Sequence, residues 1–156
     1  MLDVDGVLTD GKVYLFSDQE PVRSLQSKDG FAIQLAAKKK YRVVIITGGR
    51  SQPVKEALER LGACDVFLSQ SDKLSCYKDY IAEHQLNEEE ILYMGDDLPD
   101  WEVMKRVGVA TCPSDAAPEI KEICLYISPK TGGNGCVRDV IEQVLRVRGD
   151  WEVSHW

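Results

Sequence analysis

The chain has 156 residues, 44% of them apolar and 29% charged, which suits one soluble domain with a full core. Its net charge of -7 argues against a nucleic-acid surface, which would need clustered Lys and Arg. No apolar run approaches the roughly 18 residues of a membrane span, and no basic n-region precedes Asp3, so neither a membrane segment nor a signal peptide is expected. The five cysteines are odd in number and form no C-x-x-C, so reduced thiols in a cytoplasmic protein are expected rather than disulfides or zinc. His84 and His155 are the only histidines, one in a polar helix end and one in the tail, so histidine chemistry is not expected.

In chain order, Asp3 follows only Met1 and Leu2. So short a central strand would leave neighbouring backbone groups unpaired, and natural residues are expected upstream. Lys12–Phe16 and Val22–Leu25 read as strands joined by the turn Ser17-Asp18-Gln19-Glu20, a hairpin flap over about residues 12–26. Phe31–Lys39 has helical spacing, and Lys38-Lys39-Lys40 suits a helix C-terminus. Arg42–Thr47 contains Val-Val-Ile-Ile and reads as a buried strand. Ser51 is a candidate cap for a helix to Leu61, with Pro53 in its first turn and Gly62 as its stop. The spacing then predicts a strand at Asp65–Leu68, a helix at Leu74–His84, a strand at Ile91–Met94 and a helix from about Pro99 to Val107. Strands Val109–Thr111 and Leu125–Ile127 flank a helix from about Ala116 to Ile123, and Val137–Arg146 closes as a helix. This alternation predicts an α/β fold, Rossmann-like and doubly wound around a mostly parallel sheet. One domain covers 1–147. The tail, 148–156, is either loose or docked on a partner subunit.

Ligands in such sheets bind beyond the carboxyl ends of the strands. In extended backbone, residues two apart point the same way, so Asp3 and Asp5 face one pocket, and two such carboxylates want a cation or a shared proton. Gly95-Asp96-Asp97 follows another strand, and all-oxygen ligands select Mg2+ over zinc. Thr47-Gly48-Gly49 offers a hydroxyl and flexible backbone N–H groups. Lys73 opens a helix, where the dipole favours anions, so a phosphate and a carboxylate nearby would resolve a conflict. Taken singly, each has a bland explanation: a solvated turn, a Gly-Gly turn or a surface lysine.

The ordered set D-x-D, T-G, K, G-D-D resembles the haloacid-dehalogenase superfamily of phosphotransferases over nearly the whole chain. The resemblance implies Asp3 as nucleophile, Asp5 as acid and base, and Thr47 and Lys73 as phosphate holders. It implies a Mg2+ held by Asp3, the Asp5 backbone carbonyl and Asp96, with Asp97 and Asp100 as supporting acids. The stretches between Asp10 and Gly30 and between Thr47 and Lys73 are too short for a cap domain. Leu2 to Gly11, Lys28-Asp29-Gly30, Gly95 to Trp101 and Gly132 to Arg138 resemble the capless 3-deoxy-D-manno-octulosonate 8-phosphate phosphatases, enzymes of lipopolysaccharide biosynthesis. That resemblance implies a phosphorylated sugar acid as substrate and a homotetramer packed through its hairpins. It also implies a glycine-rich stretch, Gly132–Gly135, that helps cover the substrate. Candidate substrate contacts are Gln26, Lys28, Asp29, Gly30, Gly48, Arg50 and Arg60. Where the family often carries arginines for the sugar acid's carboxylate, this chain has Gln34, Gly49 and Ala57. A nonulosonate 9-phosphate or another small phosphorylated metabolite therefore competes as substrate. A non-catalytic module is disfavoured because every required acid is present. A response-regulator receiver is disfavoured because its aspartate would follow a middle strand.

Overall fold

The computed structural model describes residues 1–17 and 20–152. Asp18 and Gln19 of the expected turn, and the end of the tail with His155 and Trp156, lie outside the described residues.

Five parallel strands and one bridged residue form the sheet. β1 (Val44–Ile46) pairs with β2 (Asp65–Phe67), β3 (Leu92–Met94) with β4 (Val109–Cys112), and β4 with β5 (Tyr126–Ile127). Leu2 joins the two groups through parallel bridges to Ile45 and Met94. Its N–H donates to Val44 O at 2.9 Å and its carbonyl accepts from Ile46 at 3.0 Å. The order is thus β2-β1-Leu2-β3-β4-β5. From the centre the chain winds first to one side and then to the other, so the topological switch lies beside Leu2, where such folds open a ligand crevice.

Six helices cover the sheet: α1 (Ser27–Lys38), α2 (Gln52–Arg60), α3 (Lys73–Glu83), α4 (Trp101–Met104), α5 (Pro118–Ile123) and α6 (Cys136–Arg148). Strand side chains alternate between faces. Ile45 joins Ile33, Leu58, Val137 and Val140, so α1, α2 and α6 cover one face. Val44 and Ile46 join Tyr77, Val103 and Ile120, so α3, α4 and α5 cover the other.

Four expectations need correction. The hairpin is not a pair of strands: Tyr14 and Val22 exchange two backbone hydrogen bonds of 3.0 Å, and the remaining backbone there makes no ladder. Its apolar side chains Val13, Tyr14, Leu15, Phe16 and Val22 stay exposed, so no core face straightens it. Helix α1 begins at Ser27 rather than Phe31, because the Gln26 side chain accepts from Lys28 N–H and caps it. The helix expected from Pro99 splits into a 3₁₀ turn, Leu98–Asp100, and the short α4. Finally, the described start of the tail docks on its own chain: Asp150 accepts from the Tyr41 hydroxyl at 2.7 Å, and the Arg138 guanidinium lies 4.5 Å from the Trp151 ring.

Asp29 also changes role. It is buried, and its carboxylate accepts from Arg138 N–H at 2.6 Å in the first turn of α6. Gly135, the residue before α6, has φ +96° and no side chain to cap with, so α1 supplies the capping carboxylate. Asp29 therefore ties two helices together in this structure. Asp29→Ala is expected to lower the unfolding free energy by about 1–2 kcal/mol in chemical denaturation, the usual worth of an N-cap; a loss near zero would remove this role.

Candidate active site

Asp3 leaves the central strand where the sheet switches direction, and its N–H donates to Met94 O at 3.0 Å. The chain then doubles back: Val7 and Thr9 N–H both donate to Val4 O, at 3.2 and 2.9 Å. Gly6 makes this turn at φ +90°, and a Cβ there would overlap the Asp96 carboxylate. Only glycine lets the two acidic loops approach. Gly132 and Gly133 lie equally close to the backbone of Gly6, Thr9 and Asp10, and Gly133 N–H donates to Val7 O at 2.9 Å. The glycine-rich stretch expected to cover a substrate thus buttresses the D-x-D-G loop in this structure.

A buried ion cluster lies at this point. Lys73 Nζ lies 2.9 Å from Asp3 Oδ1 and 2.8 Å from Asp100 Oδ1, with Asp3, Lys73 and Asp100 exposed by only 6%, 5% and 1%. Lys73 is the first residue of α3, where Asp72 caps the helix by accepting from Ser75 N–H. The expected conflict with the helix dipole is resolved by the two carboxylates. Asp100 also accepts from the Tyr93 hydroxyl at 2.7 Å and from Asp96 N–H at 3.4 Å, so it holds three elements together. A Cβ on Gly95 would meet the Asp100 side chain, which explains a glycine before Asp96.

Oxygens of Asp3, Asp96 and Asp100 lie within 4.8 Å of one another. Burial, reinforced by the Asp100 charge, raises the Asp3 pKa to about 7 although Lys73 pulls it down. Burial, reinforced by Asp3 and Asp100, raises Asp96 to about 7. For Lys73, burial opposes the charge, but Asp3 and Asp100 outweigh it and the pKa rises. Three carboxylates against one ammonium form an excess of negative charge that a divalent cation would relieve. Asp3 and Asp96 are the oxygens with room for one, since Asp100 already accepts from Lys73, Tyr93 and Asp96.

Asp5 is partly buried beside this cluster, and an unexpected partner holds it. Arg23, on the hairpin, donates from Nε to Asp5 Oδ1 at 2.7 Å and from Nη2 to Oδ2 at 3.1 Å. Thr9 Oγ1 donates to Asp5 Oδ1 at 3.3 Å. No local spacing links Arg23 to Asp5, 18 residues away, which is why sequence reasoning passed over it. Thr47 is buried at the end of β1, and its hydroxyl oxygen accepts from Gly49 N–H at 3.0 Å.

The other expected contacts scatter. Gln26 caps α1, Lys28 is exposed in its first turn, and Gly30 is buried against Leu61, where a Cβ would lie 3.3 Å from its methyls. Gly48 is exposed beside Gln70. Arg50 and Arg60 are exposed, and the structure gives them no bond to the buried cluster. Asp97 is exposed and accepts from Leu98 N–H at 2.8 Å, so it caps the 3₁₀ turn; of the two expected supporting acids, only Asp100 reaches the cluster.

Comparison with known proteins agrees with this geometry. The family model of haloacid dehalogenase-like hydrolases matches residues 60–140. The chain is 35% identical over 149 residues to the 3-deoxy-D-manno-octulosonate 8-phosphate phosphatase KdsC of Salmonella typhi, covering 96% of this chain and 79% of that protein. A crystal structure of the Yersinia pestis phosphatase superposes with a TM-score of 0.92 at 34% identity, over 96% of this chain and 80% of that one. A Moraxella catarrhalis phosphatase, solved with magnesium, phosphate and the octulosonate sugar acid, superposes with a TM-score of 0.93 at 29% identity, over 96% and 86% of the two chains. The chain belongs to the haloacid dehalogenase-like hydrolases and, within them, groups with the 3-deoxy-D-manno-octulosonate 8-phosphate phosphatases.

Proposed function

We propose that this chain is a Mg2+-dependent phosphomonoester hydrolase that releases phosphate from 3-deoxy-D-manno-octulosonate 8-phosphate through an aspartyl-phosphate on Asp3. The observation that carries this reading is the buried contact of Lys73 with Asp3 and Asp100, beside Asp96 at the switch of the sheet. A nucleophilic carboxylate needs a fixed cation and a second acid for metal, and both are there. The relatives' activity and the bound groups of the Moraxella structure support the substrate class.

Magnesium, when bound, supplies the charge neutralisation that lets two anions meet. Asp3, Asp96 and the Asp5 backbone carbonyl would hold it. An Asp3 carboxylate oxygen attacks phosphorus in line as the bond to the sugar oxygen breaks. Asp5 gives its proton to that oxygen, so the sugar acid leaves as an alcohol. Asp5 then takes a proton from water, the hydroxide attacks phosphorus, and inorganic phosphate leaves Asp3. Lys73 and the Thr47 hydroxyl hold the phosphoryl oxygens throughout.

A nonulosonate 9-phosphate is the second reading, and what favours it is the absence of arginine at Gln34, Gly49 and Ala57. The exposed hairpin side chains fit assembly of a homotetramer, in which a neighbour would shield a capless site from water. A cytoplasmic location, where an ordinary phosphometabolite would be met, completes the proposal.

Asp3→Asn is expected to cut Mg2+-dependent phosphate release by a factor on the order of 1,000 or more while the protein stays folded; unchanged turnover would remove the nucleophile assignment. Leu15→Glu with Phe16→Glu should shift the mass in light scattering from an oligomer to a smaller species, and an unmoved mass would place the interface elsewhere. The pH dependence follows from Asp3 and Asp96. Both are raised from 3.8 to about 7, so between those values the folded protein binds protons that the unfolded chain does not. Without metal, these two groups add stability as pH falls below 7 and lose it as pH rises through 7. Mg2+ competes with those protons, so its addition should raise Tm more at pH 8 than at pH 5.5. An equal or larger rise at pH 5.5 would mean that the ion binds other groups.

A further inference from the structure

Arg23 belongs to no role assigned above. It sits on the hairpin, outside the four motifs, yet its side chain is only 13% exposed and meets both Asp5 oxygens side-on. A surface tether between loops would need only one such contact. The position of the guanidinium relative to the reacting groups is more informative than the ion pair.

Asp5 gives its proton to the leaving oxygen in the reaction proposed above, so the leaving group must lie against the Asp5 carboxylate on the side away from Asp3. Gly49 leaves a gap beside that carboxylate. A Cβ built there would lie 3.3 Å from Thr47 Oγ1, 3.5 Å from Asp5 Oδ2 and 3.8 Å from Arg23 Nη2. The volume left by the missing side chain is therefore bounded by the phosphate holder, the acid and the guanidinium. Arg23 spends Nε and one N–H of Nη2 on Asp5, and one N–H of Nη1 on Pro21 O at 3.3 Å. Among the described residues, the second hydrogens of Nη1 and Nη2 are uncommitted. Nη2 lies at the edge of the gap, and a guanidinium with hydrogens left on both terminal nitrogens can take a carboxylate at two points.

We propose that Arg23 recognises the carboxylate of the leaving sugar acid, through a guanidinium whose Nη2 borders the space opened by Gly49. This rests on the sugar-acid reading. It goes beyond that reading in naming a specificity residue on the hairpin. It also accounts for a glycine where an arginine was expected: a long side chain at position 49 would compete with Arg23 for the same space.

The test compares two phosphomonoesters on the full chain with Mg2+: 3-deoxy-D-manno-octulosonate 8-phosphate, and D-ribose 5-phosphate, which has no carboxylate. For Arg23→Gln, the ratio of kcat/KM between them should fall by about tenfold or more, mostly through KM for the sugar acid, as for loss of one charged hydrogen-bonded contact. The inhibition constant of the free sugar acid should rise by a similar factor. Arg23→Lys keeps the charge without the fork, and its ratio should fall by about threefold or more. That variant carries the test if the glutamine variant does not fold. Losses equal on both substrates would show a tether that only positions Asp5, and would overturn the proposal while leaving the sugar-acid reading intact. A wild-type protein with no preference for the sugar acid would overturn both.

Discussion

The burial of one ammonium between two carboxylates organises this molecule. Lys73 has given up water for Asp3 and Asp100, and its charge offsets part of the cost of burying them. The arrangement fixes three elements at once: the end of the central strand, the start of α3, and the turn that leads into α4. Tyr93 and the N–H of Asp96 complete the Asp100 acceptors, so the core beneath the site is stiff. The charge that Lys73 does not balance is shared by Asp3, Asp96 and Asp100, whose oxygens lie within 4.8 Å of one another. The same geometry therefore serves folding and chemistry, with the strain of burial left at the reacting end.

Much of this was legible in the sequence because each motif follows an apolar strand. Val44-Ile45-Ile46 and Leu92-Tyr93-Met94 announce their strands by composition, and the residues after them must lie on one edge of a parallel sheet. Lys73 was visible as a charge in the wrong place for a helix start. Gly6 and Gly95 were visible as glycines, but their reason was not: each makes room for a carboxylate from a distant part of the chain.

What the sequence hid depends on contacts between segments that carry no local pattern. Asp29 looked like part of a binding motif, yet it caps a helix that begins more than a hundred residues later. Arg23 drew no reading from the sequence, yet it holds Asp5. The hairpin itself has the alternation of a strand pair without a core to bury, so among the described residues only the Tyr14–Val22 bridge forms. Asp97 and Asp100 have the same side chain three residues apart, and the turn between them sends one to solvent and the other to the core.

The contact of Gly132 and Gly133 with the D-x-D-G loop has a consequence for how the molecule is made. Val7 O accepts from Gly133 N–H, and from Cys136 Sγ across 129 residues of sequence. In synthesis the D-x-D-G loop leaves the ribosome well before the support beneath it, which lies more than a hundred residues further along the chain. Loop closure over such a distance is costly and slow to form. A nascent chain would thus hold Asp3 on an unsupported turn until α6 docks, and the buried cluster would form in one late step rather than grow with the sheet.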